Sequence, residues 1–285
     1  MSTLRYAYNT NGCAHHRLPD ALRLIAAAGY AGVALTLDWH HLDPLAPDWE
    51  RRTEEVGRQL DELQLGCVIE TGARYLLDPR TKHEPTLLHP SAAGRARRVA
   101  FLKRAADIAH RLGAETVSCW AGVRQAAVGK REAYGYLVDG MTEVVAYATE
   151  RGVTISLEPE PGMLVETNAD YLQLKQANHV LAKHLRLALD VGHVWVTGEG
   201  DPAAAVTTHA RDLGTVAIEG MNRGVHLHLP PHEGDMELGP VLRNLRAIDF
   251  RGLVCLELSR ESTRAHLAIP EGIKYLRTLE GTAVG

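Results

Sequence analysis

Four short apolar runs in the second half of the chain each end in a side chain able to hold a metal ion or move a proton: Thr154 to Glu158, Leu187 to Asp190, Val225 to His228 and Val254 to Glu257. Carboxylates and imidazoles that recur at the carboxyl ends of successive buried strands are what an open divalent-metal site on a parallel barrel needs, because the βα loops at that rim leave room for a ligand. Two glutamates, an aspartate and a histidine form an oxygen-rich set with a single nitrogen. Such a set suits Mn2+, Mg2+, Co2+ or Zn2+, with positions left for substrate oxygens, and one such ion is expected. Strand alternation agrees with the placement. Counting back by two gives Cys255 and Leu253 behind Glu257, Ala188 behind Asp190 and Ser156 behind Glu158, while Leu157, Leu189 and Leu256 face the other way. Small or polar residues then line the interior and leucines meet the helices. His226 and His228 are also two apart and share a face.

Further candidates surround these four. His193 lies three residues beyond Asp190, just past the strand, where it can reach over the site to a substrate oxygen. Glu160, one proline beyond Glu158, can accept from a substrate hydroxyl, and His232, Glu233 and Asp235 follow the His226/His228 strand directly. In the amino-terminal half, His40, Glu70 and Trp120 each end or follow a strand-like run; an aromatic there offers an apolar wall to the CH face of a sugar.

The elements that must position these groups follow one cadence: an amphipathic helix, a Gly near its end, and within a few residues a β-branched or aliphatic run. It recurs around Gly29, Gly66, Gly113 and Gly152. A Gly there takes the left-handed conformation that ends a helix without a Cβ penalty. Strands are predicted near residues 4–8, 32–37, 66–70, 115–119, 153–158, 186–190, 224–229 and 253–258, and helix starts at Pro19, at Pro47 with Asp48, and at Asp201 with Pro202. Eight strands alternating with eight helices is the (β/α)8 TIM-barrel count, and short connections predict one α/β domain over residues 1–285. The one long βα loop, Asp78 to Pro90, is expected at the catalytic rim as a lid or substrate-binding element.

Composition bounds the function. A chain of 285 residues with 45% hydrophobic content builds a barrel-sized core without staples. The net charge of -4, with both signs mixed along the chain, offers no basic stripe for a phosphate backbone, so no nucleic-acid partner is expected. Cys13, Cys67, Cys119 and Cys255 form no CxxC pair and are expected as reduced thiols, three of them in or beside apolar strands. The first residues lack the charged and apolar regions of a leader, and no window nears a membrane span, so the expectation is a cytoplasmic protein without membrane contact.

The motifs Leu157-Glu158, Asp190-Val-Gly-His193, His226-Leu-His228 and Leu256-Glu257 resemble those of the xylose isomerase-like TIM-barrel superfamily, across essentially the whole chain. That group includes sugar and sugar-phosphate isomerases and epimerases, inosose dehydratases and isomerases, hydroxypyruvate isomerases and the endonuclease IV group. The resemblance implies that Glu158, Asp190, His228 and Glu257 bind one divalent metal, with His226 as the alternative to His228, and that His193 contacts substrate. It implies proton abstraction next to a carbonyl through a metal-bound enediolate, with Glu158 and Glu257 as the acid/base pair. The expected partner is a small sugar or cyclitol, with a non-phosphorylated one favoured; a homo-oligomer is left open. Three alternatives accompany this reading: an inosose-type dehydratase on the same metal site, an endonuclease IV-like phosphodiesterase, and a sugar-binding barrel without catalysis. The phosphodiesterase would need histidines where Glu70 and Thr71, then Trp120 and Ala121, stand. Arg124, Arg260 and Arg264 are candidate contacts for an anionic substrate.

Overall fold

The computed structural model describes residues 3–282. Met1 and Ser2, at the start of the segment in which no leader is read, and residues 283–285 lie outside them. Among the described residues ten strands form, in chain order: β1 (Arg5–Asn9), β2 (Gly32–Thr36), β3 (Gly66–Glu70), β4 (Val117–Trp120), β5 (Ile155–Glu158), β6 (Leu185–Asp190), β7 (Leu213–Ile218), β8 (Gly220–Asn222), β9 (Val225–Leu229) and β10 (Leu253–Leu256). All but β8 and β9 close into one parallel barrel, β1-β2-β3-β4-β5-β6-β7-β10 and back to β1; β8 and β9 pair antiparallel as a separate hairpin. The chain is thus a single-domain (β/α)8 barrel.

The expected strands match the barrel at seven of its places and miss at one. The stretch 224–229, read as the seventh barrel strand, is instead the outer arm of the hairpin, and the barrel strand is Leu213–Ile218. Val216 and Ile218 pair with Val254 and Leu256 on one side, and Ala217 with Asp190 on the other. A parallel strand buried on both faces reads as a continuous apolar run, and Val216-Ala-Ile218 is a short one. The alternation of Val225-His-Leu-His-Leu229 belongs to a half-exposed antiparallel arm.

Ten α-helices are found among the described residues where eight were expected: α1 (Leu18–Ala28), α2 (Trp49–Glu62), α3 (Ala92–Leu112), α4 (Lys130–Thr149), α5 (Asn168–Lys175), α6 (His179–His184), α7 (Val191–Thr197), α8 (Pro202–Thr208), α9 (Leu238–Ala247) and α10 (Ala265–Thr282). The surplus arises where β5 and β6 are each followed by two short helices. Asn178 caps α6 by accepting from Val180 and Leu181 N–H, and Gly198 ends α7 in the left-handed conformation. In α1, Pro19 sits in the first turn, Leu18, Ala21, Leu22 and Ile25 form the buried stripe, and Gly29 at φ 88° turns the chain toward β2. At the second helix the sequence expectation fails in detail: Gln64, not Gly66, takes the positive φ, and Gly66 opens β3.

Inside the barrel, Ala7, Ala34, Val68, Leu253 and Cys255 form a small core of their own. Leu157, Leu189 and Leu256 join the larger core between strands and helices, as the alternation requires. Each fully buried aliphatic side chain of that layer contributes about 1.5–3 kcal/mol, so the framework beneath the rim is rigid. All four cysteines are buried and unpaired by disulfides. No helix among the described residues is long and apolar enough to cross a membrane.

Candidate active site

The carboxyl ends of the barrel strands surround a cavity of about 600 Å3. Glu70 from β3, Trp120 from β4, Glu158 from β5, Glu160 and His193 just beyond β5 and β6, His226 and His228 from β9, and Glu257 just beyond β10 all line it. Asp190 ends β6 one layer lower. It borders a small void at the cavity floor together with Glu70, Glu158 and Glu257, and Ser118, Ala188, Thr215, Ala217 and Cys255 close that void from below. Several of the sequence-predicted residues stand elsewhere. His40 packs at a tilt against Trp39 and His41, and His232 and Glu233 line a separate groove with Tyr275, so none of the three lines the cavity. Asp235 serves the hairpin instead, accepting from Trp195 Nε1 and Arg223 N–H.

Asp190 shows how local structure builds the site. It is the N-cap of α7, and its Oδ1 accepts from His193 N–H at 3.0 Å, which orients the helix and carries His193 back over the strand end. Its Oδ2 is buried without a hydrogen-bond partner and stands 3.4 Å from His193 Nε2. The His193 Nδ1 faces the Pro159 carbonyl at 2.9 Å; a carbonyl only accepts, so Nδ1 carries a proton and donates. His193 Nε2 then meets His226 Nε2 at 3.1 Å, and His228 closes the group with its ring 5.9 Å from that of His193 and 5.3 Å from that of His226.

Charge is concentrated at the floor. Burial, reinforced by Glu160, Glu257 and other nearby carboxylates, pushes the Glu158 carboxyl well above the usual range, and burial with Glu257 does the same to Glu70. Glu160 is raised by burial and held back by His193. Burial works against ionisation of Asp190 too, yet His193 and His228 hold it below the ordinary value. Burial would neutralise His228, but Glu219, Glu257 and Asp190 overcome it and lift the imidazole to about 10. His226 is lowered to about 4, by burial first and then by His193 and His228. Carboxyl groups whose hold on a proton is strengthened by burial and by one another are the equipment of proton transfer.

Glu219 is the residue that the sequence reading missed. It follows β7 as Glu257 follows β10, and Glu257 N–H donates to Ile218 O between the two strand ends. It is fully buried, neither carboxylate oxygen has a hydrogen-bond partner, and Oε2 lies 3.8 Å from His228 Nδ1. The alternation that pointed to the other candidate residues was present here as well, since Ala217 and Thr215 stand two and four residues back and face the floor void. Asn9, Asn11 and Thr36 were also unread. Asn11 Nδ2 donates to Glu257 Oε1 at 2.7 Å, and Asn9 Oδ1 accepts from Thr36 Oγ1 at 2.9 Å, tying the ends of β1 and β2 to the site.

The long loop after β3 does reach the rim. Arg74, Lys82 and His83 line the cavity, and His83 meets the edge of Trp120 at 5.2 Å while Arg98 covers a face of that indole at 4.4 Å. Of the three arginines considered for an anionic substrate, Arg260 lines the cavity. Arg124 donates to the Val128 carbonyl, and Arg264 pairs with Glu261 and Glu271.

A family model described as "Xylose isomerase-like TIM barrel" matches residues 22–279. No match is found among curated proteins. Among solved structures, the chain is similar to L-ribulose 3-epimerase, at 18% identity and a TM-score of 0.79, covering 99% of this chain and 96% of that one. It is similar to 3-keto-D-glucoside 4-epimerase from E. coli at 16% identity and a TM-score of 0.78, covering 97% and 100%. A probable 3-DHS dehydratase from Bacillus anthracis has 16% identity and a TM-score of 0.76, covering 96% and 99%.

Proposed function

Since the chain belongs to the xylose isomerase-like TIM-barrel family, we propose that it is a divalent-metal-dependent sugar or cyclitol epimerase or isomerase that abstracts a proton next to a carbonyl. The observation that carries this reading is the placement of Glu158 and Glu257 in one cavity, on strand ends separated around the barrel by β6 and β7. Two carboxylates that approach a bound substrate from different sides suit epimerisation, in which one removes the proton and the other returns it to the opposite face.

The residues present fit a metal ion. Asp190 Oδ2 and His228 Nδ1 are buried donors without hydrogen-bond partners, and such atoms are costly unless a ligand satisfies them. Glu158, Asp190, His228 and Glu257 would hold the ion, a set of hard oxygens and one imidazole. When bound, it supplies Lewis-acid polarisation of a substrate carbonyl. The protein groups do the remainder. Asn11 orients Glu257 through its 2.7 Å hydrogen bond, and His193, fixed at Nδ1 by Pro159, presents Nε2 to a substrate oxygen.

The test is solvent deuterium incorporation into ketoses, aldoses and inososes incubated in D2O with metal-loaded protein, against a chelated control. Metal-dependent label beside the carbonyl is expected, and the product separates epimerase, isomerase and dehydratase. Stoichiometric metal binding with no label across the panel counts against proton abstraction.

A further inference from the structure

Glu219 is a carboxylate in the wrong place for a structural residue. It is fully buried, both of its oxygens lack a hydrogen-bond partner, and no Lys or Arg side chain among the described residues forms an ion pair with it. Its one charged neighbour at ion-pair range is His228, at 3.8 Å, too far for a hydrogen bond. Beside it, Asp190 Oδ2 and His228 Nδ1 are also unpartnered, and one donor atom from each of the three residues lies within 4.8 Å of the other two. A buried carboxylate whose oxygens are left without hydrogen bonds is costly unless a counter-ion satisfies it. Three unsatisfied donors that converge on one point have a common remedy, a cation between them.

The backbone also makes room for this carboxylate. A Cβ on Gly192 would collide with Glu219 Oε1, and would sit 2.6 Å from Met221 Cε and 3.1 Å from Glu219 Cδ. The glycine of Asp190-Val-Gly-His193 therefore vacates the volume into which Glu219 points.

We infer that Glu219, at the carboxyl end of the true seventh barrel strand, is a ligand of the divalent cation together with Asp190 and His228. The inference rests on the metal-site reading above and departs from it in one respect: the seventh strand contributes a carboxylate, while the imidazole arrives from the β8–β9 hairpin folded over the rim. With Glu158 and Glu257 close by, the donor set is dominated by carboxylate oxygen, which suits a hard ion of the Mn2+ or Mg2+ kind better than one that prefers sulfur or several nitrogens.

The experiment is calorimetric titration of the metal-free full chain with MnCl2, for wild type and Glu219→Gln, with thermal unfolding of both in chelator. The amide keeps the volume and removes the charge. Mn2+ affinity is expected to fall by at least about tenfold, because loss of even a group that merely orients a ligand costs that much. The metal-free variant is expected to melt no lower than wild type, since the amide keeps the volume and removes a buried carboxylate that accepts no hydrogen bond. Mn2+ affinity within about threefold of wild type overturns the inference, and a lower melting point with unchanged affinity identifies Glu219 instead as a structural partner of His228. Should E219Q not fold, Glu219→Asp retains the charge but withdraws the oxygens, and the same loss of affinity is expected. Wild-type protein that binds no divalent ion removes the metal reading itself, an outcome distinct from a wild type that binds and an E219Q that binds equally.

Discussion

Gly192→Ala places one methyl group between a helix and the site floor, and the structure sets its cost. At an unobstructed position inside a helix this change stabilises, by up to about 1 kcal/mol, because Gly forfeits more backbone entropy than Ala. Here the new Cβ meets Glu219 Oε1 and lies 2.6 Å from Met221 Cε, and both neighbours are fully buried with no solvent to swing into. Overpacking of this kind costs about 1–3 kcal/mol, so the expected net change in the metal-free protein is a loss of roughly 1–2 kcal/mol, opposite in sign to the propensity effect. For a chain this long, that is a drop of a few degrees in Tm, at about 2–4 °C per kcal/mol. The carboxylate must retreat to restore contact distance, so Mn2+ affinity should fall as well. The assay is chelator-treated thermal unfolding with Mn2+ titration of G192A, Glu219→Ala and the double variant. Removing the Glu219 carboxylate relieves the collision, and the cycle should return a coupling of about 1–3 kcal/mol. A G192A protein that melts higher than wild type and binds Mn2+ unchanged refutes the claim that this glycine exists to accommodate Glu219.

Three further outcomes follow from the site. Glu158→Gln and Glu257→Gln should each lower kcat by about 10²–10⁴-fold and weaken metal binding while circular dichroism stays unchanged; full turnover in either removes it from the acid/base pair. His193→Gln should raise KM and lower kcat with metal stoichiometry retained, and metal loss on titration would instead make His193 a ligand. Acid should destabilise the loop after β2. Burial, helped by His40, lowers His41 to about 4, so the unfolded chain, with an ordinary histidine near 6.5, binds the extra proton. The stability that His41 contributes is complete above about 6.5 and is lost as pH falls toward 4. Urea unfolding of wild type and His41→Gln at pH 7 and pH 5 tests this: the wild type should lose more between the two, and equal losses would show that His41 does not report its burial.

Much of this protein was determined by local sequence. A strand that must be buried on its barrel face carries small residues at every second position, so Ser156, Ala188 and Cys255 by themselves point Glu158, Asp190 and Glu257 to the same interior. The helices announced themselves through the buried stripe of α1 and through Gly29, Gly113 and Gly152, which end their elements at positive φ. These are one-dimensional signals, because they depend on the period of the chain and on single-residue conformational cost. The seventh strand was not of that kind. Thr215 to Ile218 and Val225 to Leu229 are both plausible short strands, and only the pairing of Val216 with Val254 and Ala217 with Asp190 puts the first in the barrel and leaves the second as a hairpin arm. With that decision came the rest. Glu219 was placed on the floor, His226 and His228 reached the same cavity from above, and His40 and His232 fell outside it. Register between distant strands and the path of a rim excursion are set by long-range packing, and a side chain's proximity to partners tens of residues away is written only in the closed barrel.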